Sequence, residues 1–96
     1  MENEELISIH DFCVTCNIEE SFVELLQRSE LIEVTVVEGQ TFIQAEQLTR
    51  LEKLTRLHYD LAINLEGIEV IDQLLQRIEN MQHEIIALRN RLHIPH

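Results

Sequence analysis

From Asn64 to Leu92 the chain reads NLEGIEVIDQLLQRIENMQHEIIALRNRL, with no proline to interrupt it. Ile71, Ile78, Ile85 and Leu92 recur every seven residues, and Leu74, Met81 and Leu88 fall three places after the first three. This is an a/d seam sustained over about three heptads, the period at which a helix buries one narrow stripe against a partner helix. As a single helix the segment is roughly 40 Å long at about 1.5 Å per residue. The remaining short elements of a 96-residue chain cannot cover such a stripe. The expected consequence is a homodimer joined through Ile71, Leu74, Ile78, Met81, Ile85, Leu88 and Leu92. Beside the seam, Arg77, Glu84 and Arg91 take g positions, while Gln82 and Arg89 take e. Glu84 can meet Arg89 in a parallel pair, or Arg77 or Arg91 in an antiparallel one, so charge leaves the orientation open. Leu75 and Ile86 widen the stripe, which is how a helix packed along its own head would also look.

The rest of the chain supplies that head. Ser8 followed by Asp11 has capping-box spacing and predicts a helix from Ile9 to about Cys16. Asn17 with Glu20 repeats the signal and predicts a second helix from Ile18 to about Ser29, with Ile18, Phe22, Leu25 and Leu26 on its apolar side. Two short helices in close succession suggest a helix-turn-helix. Ile32, Val34 and Val36 then alternate with Glu33 and Thr35 as in a half-buried strand, Glu38-Gly39 supplies a tight turn, and Gln40 to Ile43 returns. After a helix-turn-helix, such a hairpin is a wing. A further helix is expected from Ala45 to about Leu61, with Leu48, Leu51, Leu54, Leu57 and Leu61 on one side. Asn64 then caps the long helix, and Gly67 in its first turn leaves room for close packing. The expected fold is mainly α: a winged helix-turn-helix head over residues 1–64 and a long dimerisation helix over 65–96, one structural domain overall.

Charge narrows the function. Eighteen acids face seven Lys and Arg, a formal net charge of -11. Up to Thr49 the single basic residue is Arg28, against eleven acids; from Arg50 onward six basic residues meet seven acids. An anionic N-terminal half on a balanced stalk repels phosphate backbones and attracts a basic protein surface. The acidic opening MENEELIS is no secretory signal, and no apolar run approaches membrane-spanning length, so the expected location is the cytoplasm with no membrane association. Cys13 and Cys16 would stay reduced there. They form a CxxC with His10 one turn earlier, but a structural zinc site needs a second pair of ligands, and the sequence has none. Both cysteines therefore read as small core residues. The other histidines are scattered, with His83 at an outward position and His93 and His96 at the end of the helix. Two glycines cannot build a phosphate-cradling loop, and neither cysteine has the electropositive setting of a nucleophile. No enzyme activity, cofactor or metal is expected.

The order helix-turn-helix, wing, helix pair and coiled coil resembles MerR-type regulators. HDFCVTCNIEES at 10–21 and above all RLHYDLAINLEGIEVIDQL at 56–74 look most like the chaperone-modulator family, whose members bind the J-domain co-chaperone known as curved DNA-binding protein A. The resemblance is tightest at Arg56, Leu57, Leu61, Ala62, Gly67, Ile68 and Val70. It implies a dimeric, predominantly helical protein that occupies a J-domain. Such a protein inhibits both stimulation of Hsp70 and DNA binding by the co-chaperone. The chain departs from some members in having Leu65-Glu66 where they carry a tryptophan-proline pair. With J-domains presenting a basic helix, the expected contacts are Glu20 and Glu24 on the second helix, with Glu33 and Glu38 on the hairpin. The rival expectation is a MerR-like transcriptional regulator that binds DNA directly as a dimer. Its reading helix and wing would then need cations for phosphates, and residues 17–43 offer only Arg28.

Overall fold

A computed structural model describes residues 5–92; Glu2, Glu4, His93 and His96 lie outside the described residues. The elements run β1 (Leu6–Ser8), α1 (Ile9–Cys16), α2 (Glu20–Arg28), β2 (Thr35–Val37), β3 (Gln40–Gln44), α3 (Leu48–Tyr59) and α4 (Leu65–Leu92), with a 3-10 turn at Ala45–Gln47 leading into α3. The fold is a mainly helical winged helix-turn-helix head carrying a long C-terminal helix.

Capping explains where the helices begin. Ser8 is extended (φ -66°, ψ 128°) and its Oγ accepts from the Asp11 N–H at 3.2 Å. This bond satisfies one of the donors that the first turn leaves without a helical partner. At α4 the Asn64 Oδ1 accepts from Gly67 N–H at 2.8 Å in the same way. Where helices end, the chain turns left-handed without glycine: Asn17 (φ 59°), Glu30 (φ 60°) and Ala62 (φ 58°) follow α1, α2 and α3. Ile18 N–H bonds to Cys13 O at 3.0 Å and Leu31 N–H to Leu26 O at 2.9 Å, closing the first two ends as Schellman motifs. Asn17 is thus the C-cap of α1, not the start of α2, which begins at Glu20. Asparagine suits either role, because its short polar side chain caps a helix start and also tolerates the left-handed region.

The sheet is antiparallel in the order β1-β3-β2. Its outer strand β1 was not expected: three residues are too few to show an alternation, and the pairing of Ile7 with Ile43 spans most of the head. In the hairpin, Val36 opposite Thr41 is 66% exposed, where alternation with Ile32 and Val34 predicts burial. Ile32 is buried and Val34 packs on the core, so the face is right, but the tip overhangs the core edge. Glu38 (φ 51°) and Gly39 (φ 79°) make the turn.

The core gathers the inner faces of every helix around β3. Leu26, Ile43, Leu51, Leu54 and Ile68 are fully buried. On α2 the inward residues are Phe22, Val23 and Leu26, while Leu25 is 42% exposed. Leu61 lies beyond the end of α3 and is also exposed, so the apolar side of that helix stops at Leu57. Ile68 and Asp72 dock the first turns of α4 into the head. From Gln73 to Leu92 every residue is exposed. The helix does not fold back along its own head. Among the described residues no helix is long and apolar enough to cross a membrane.

Gly67 shows how tightly the link into α4 is packed. A Cβ there would stand 2.7 Å from Ile63 Cγ2 and 3.1 Å from the capping Asn64 Oδ1. Elsewhere in a helix, Gly→Ala stabilises by up to about 1 kcal/mol. Here the clash reverses the sign, and Gly67→Ala is expected to lose about 1 kcal/mol in a denaturant titration. A raised midpoint would show that the link yields freely.

Candidate partner-binding face

The amphipathic pattern of α2 decides which of its side chains reach solvent. With Phe22, Val23 and Leu26 in the core, Glu20, Glu24, Gln27 and Arg28 point outward. An aromatic group anchors the start of this helix to the end of α3. Phe22 stacks on His58 with centroids 4.5 Å apart, and Tyr59 meets both edge-on. The Tyr59 hydroxyl accepts from Glu19 N–H at 3.2 Å, and His58 Nδ1–H donates to Ile63 O at 2.9 Å. The acidic helix is therefore held at one end to the link that leads into α4.

Between α2 and the hairpin runs a narrow trough lined by Ile9, Glu20, Val23, Glu24, Gln27, Val34 and Thr41. A cleft of about 590 Å³, bounded by Ser8, His10, Asp11, Glu20 and Gly39 to Phe42, shares Ile9, Glu20 and Thr41 with it. Glu20 and Glu24 thus share one face. Glu38 sits at the hairpin tip next to Gly39 and lines neither the trough nor the cleft. Glu33 stands apart: its N–H donates to Gln47 Oε1 at 3.2 Å, and it lines a separate recess with Arg50. The cleft adds two groups that sequence reasoning did not place there, His10 and Asp11. Their position on the first turn of α1 was legible, but the face that this turn presents to α2 was not.

His10 Nδ1 donates to Glu20 Oε2 at 2.7 Å, both side chains being more than half exposed. The hydrogen bond and charge of Glu20 raise the His10 pKa above its usual value, with a smaller push from Asp11. A raised histidine pKa favours the folded head below the ordinary imidazole pKa, and that contribution fades as pH rises through the raised one. Solvent screening keeps it small. Burial pushes the Cys13 thiol up to about 11, with Glu20 and Cys16 adding to it. Cys13 is thus an uncharged core residue at neutral pH, unsuited to nucleophilic work. Cys16, expected beside it in the core, is exposed at the last turn of α1. Spacing of three residues on a helix does not guarantee a shared environment at the helix end. Among the described residues no group of three or more His, Cys, Asp or Glu side chains is placed to hold a metal ion.

A second concave surface, of about 440 Å³, lies between α3 and α4 and includes Lys53, Leu54, Leu57, Leu75, Ile78 and Glu79. Arg50 closes its inner end by gripping Asp72 with two parallel contacts, NH1 to Oδ1 at 2.8 Å and NH2 to Oδ2 at 2.9 Å.

The winged helix-turn-helix geometry agrees with comparison to known families. A family model described as MerR HTH family regulatory protein matches residues 7–90. The chain belongs to the MerR HTH family of regulatory proteins. No curated protein and no solved structure matches it. In a MerR-type head the second helix holds the position from which helix-turn-helix proteins read the major groove. In this member that position carries Glu20 and Glu24. Arg28, in the last turn of α2, is the one Lys or Arg among the described residues up to Thr49.

Proposed function

We propose that this MerR-family chain is a non-enzymatic, dimeric chaperone modulator. Its acidic face binds the J-domain of a DnaJ-like co-chaperone, and it thereby inhibits stimulation of Hsp70 and DNA binding by that co-chaperone. The observation that carries this reading is the outward face of α2, anionic where a DNA reader needs cations. The resemblance of residues 56–74 to the chaperone-modulator family supports it. J-domains engage Hsp70 through a basic helix, so an acidic module that covers this helix competes with Hsp70 for it. Glu20 and Glu24 are the main contacts, Glu38 at the wing tip extends the face, and Glu33 contributes at most to the long-range field. These acids steer the encounter and form charge-assisted pairs with Lys and Arg of the partner.

Titration calorimetry against the isolated J-domain at two salt concentrations tests the proposal. Complex formation that weakens as the screening length shrinks is expected. Single substitutions at solvent-exposed contacts are expected to lose about 1 kcal/mol or less each. Glu20→Lys combined with Glu24→Lys replaces attraction by repulsion and is expected to weaken binding by tenfold or more, on the order of 1.4 kcal/mol. Absence of heat and complex with the cognate J-domain overturns the reading.

Family membership favours a second reading, a dimeric regulator that binds DNA directly. About six to ten phosphate contacts are typical of salt-sensitive DNA binding, and the second helix and hairpin offer only Arg28 to make them. A fluorescence anisotropy screen with duplex DNA at low salt separates the two readings: tight, salt-sensitive binding would establish the second.

The dimer rests on the uncovered seam. Leu74, Ile78, Met81, Ile85, Leu88 and Leu92 are each about half exposed or more in the single chain. A heptad stripe recurring on one helix is self-complementary, so a second copy of α4 is the occupant it fits.

A further inference from the structure

We propose that His10 is a proton-operated counter-charge on the acidic face. Neutral, it leaves Glu20 an anion towards a cationic partner; protonated, it neutralises Glu20 and removes that attraction. The inference rests on the acidic-face reading and adds regulation to it.

The geometry places the switch at the contact surface. The imidazole of His10, on the first turn of α1, reaches across to Glu20 on the first turn of α2, with Nδ1 to Oε2 at 2.7 Å. Glu20 belongs to both the trough along α2 and the larger cleft beneath the hairpin, so its charge faces both. Among the described residues, the groups that face His10 are few. Glu20 comes from α2 and Asp11 from its own helix. The hairpin side of the cleft is Gly39, Gln40, Thr41 and Phe42, none of which titrates near neutral pH. Cys13, one turn along α1, is buried as an uncharged thiol. Neutral His10 still donates from Nδ1, so the hydrogen bond survives in both states while the net charge of the pair changes from -1 to zero. Both side chains are well exposed (71% and 51%), so the change is presented directly to whatever docks there. The ordinary imidazole pKa is near neutrality, and the hydrogen bond and charge of Glu20 hold that of His10 above it.

Linkage makes the effect reciprocal. If protonation weakens the complex, a cationic partner lowers the proton affinity of His10 and its binding releases a proton. Salt weakens both interactions, but only the proton effect requires His10.

The test compares the wild type with His10→Gln, which keeps a hydrogen-bond donor for Glu20 and cannot titrate, and with His10→Lys, which is permanently charged. Affinity for the isolated J-domain is measured from about pH 8 to about pH 5.5, across the imidazole transition. The wild type is expected to lose about fivefold more affinity over this range than His10→Gln, the scale of one exposed charge contact. Any histidine of the J-domain titrates equally in both, so the difference between the curves belongs to His10. His10→Lys is expected to bind at high pH as weakly as the wild type does at low pH. Calorimetry in buffers of different ionisation enthalpy should show proton release with the wild type and less with His10→Gln. Identical pH curves for wild type and His10→Gln overturn the switch while leaving the acidic face intact. Absence of binding at high pH overturns both.

Discussion

Replacing Ile78 and Ile85 together by aspartate is expected to leave the protein monomeric at micromolar concentration, with its head still folded. Neither residue belongs to the core, at 48% and 49% exposure in the single chain, although Ile78 borders the concave surface against α3, so the substitutions remove nothing from the core. In a paired seam each change places a carboxylate among apolar side chains with no partner, at a cost of about several kcal/mol per buried charge. The two-fold pairing doubles that cost, and no ordinary seam of about three heptads offsets it. Once unpaired, the exposed part of α4 is an isolated helix of about the length that is marginal in water, so helical content should fall at the same time. Sedimentation and far-ultraviolet circular dichroism check the two outcomes. A wild-type protein that sediments as a compact monomer at this concentration, or a doubly substituted one that remains dimeric, would remove the seam from the account.

The second large effect is expected at Arg50. Its guanidinium joins three parts of the head: Nε donates to Leu31 O at 2.6 Å after α2, and the two terminal nitrogens grip Asp72 on α4. Gln76 Nε2 adds a bond to the same carboxylate at 3.1 Å. The Asp72 side chain is 10% exposed and that of Arg50 35%. Arg50→Ala therefore strands a nearly buried carboxylate and a backbone carbonyl. Breaking a fully buried pair from one side costs roughly 3–5 kcal/mol, and the partial exposure of Arg50 puts the expected loss near the lower end. Arg50→Lys should recover little of it, because an ammonium cannot reproduce the fork. Denaturant titration at fixed protein concentration measures the loss, fixed because a dimer's stability depends on concentration. A change below about 1 kcal/mol would place the pair with ordinary surface ion pairs. Arg50→Ala combined with Asp72→Ala should be less unstable than the sum of the two single changes, since the double substitution leaves no orphaned charge.

The helices, and the starts of α1 and α4, were legible in the chain because their signals are local. The heptads of α4, the Ser8 and Asn64 caps and the Glu38-Gly39 turn each depend on residues a few positions apart. Gly67 was legible as a place of close packing for the same reason. The acidic character of the chain up to Thr49 was likewise countable, and so was the single cation, Arg28, that α2 carries.

Tertiary structure alone decided the rest. β1 exists because Ile7 meets Ile43 across the head, a pairing that three residues cannot announce. Val23 turns inward and Leu25 outward because the core lies on one side of α2, and periodicity does not say which of two adjacent apolar residues faces it. The left-handed helix ends at Asn17, Glu30 and Ala62 carry no glycine signature, since the packing on either side imposes a backbone that composition does not favour. Cys16 is exposed because α1 ends as it leaves the core. Arg50 and Asp72, 22 positions apart, become partners only when α3 and α4 pack. His10 and Glu20 acquire a common face in the same way. Sequence determines what a segment tends to form over one or two turns. Which side of it is buried, and which charges meet, depends on the surface that another segment brings to it.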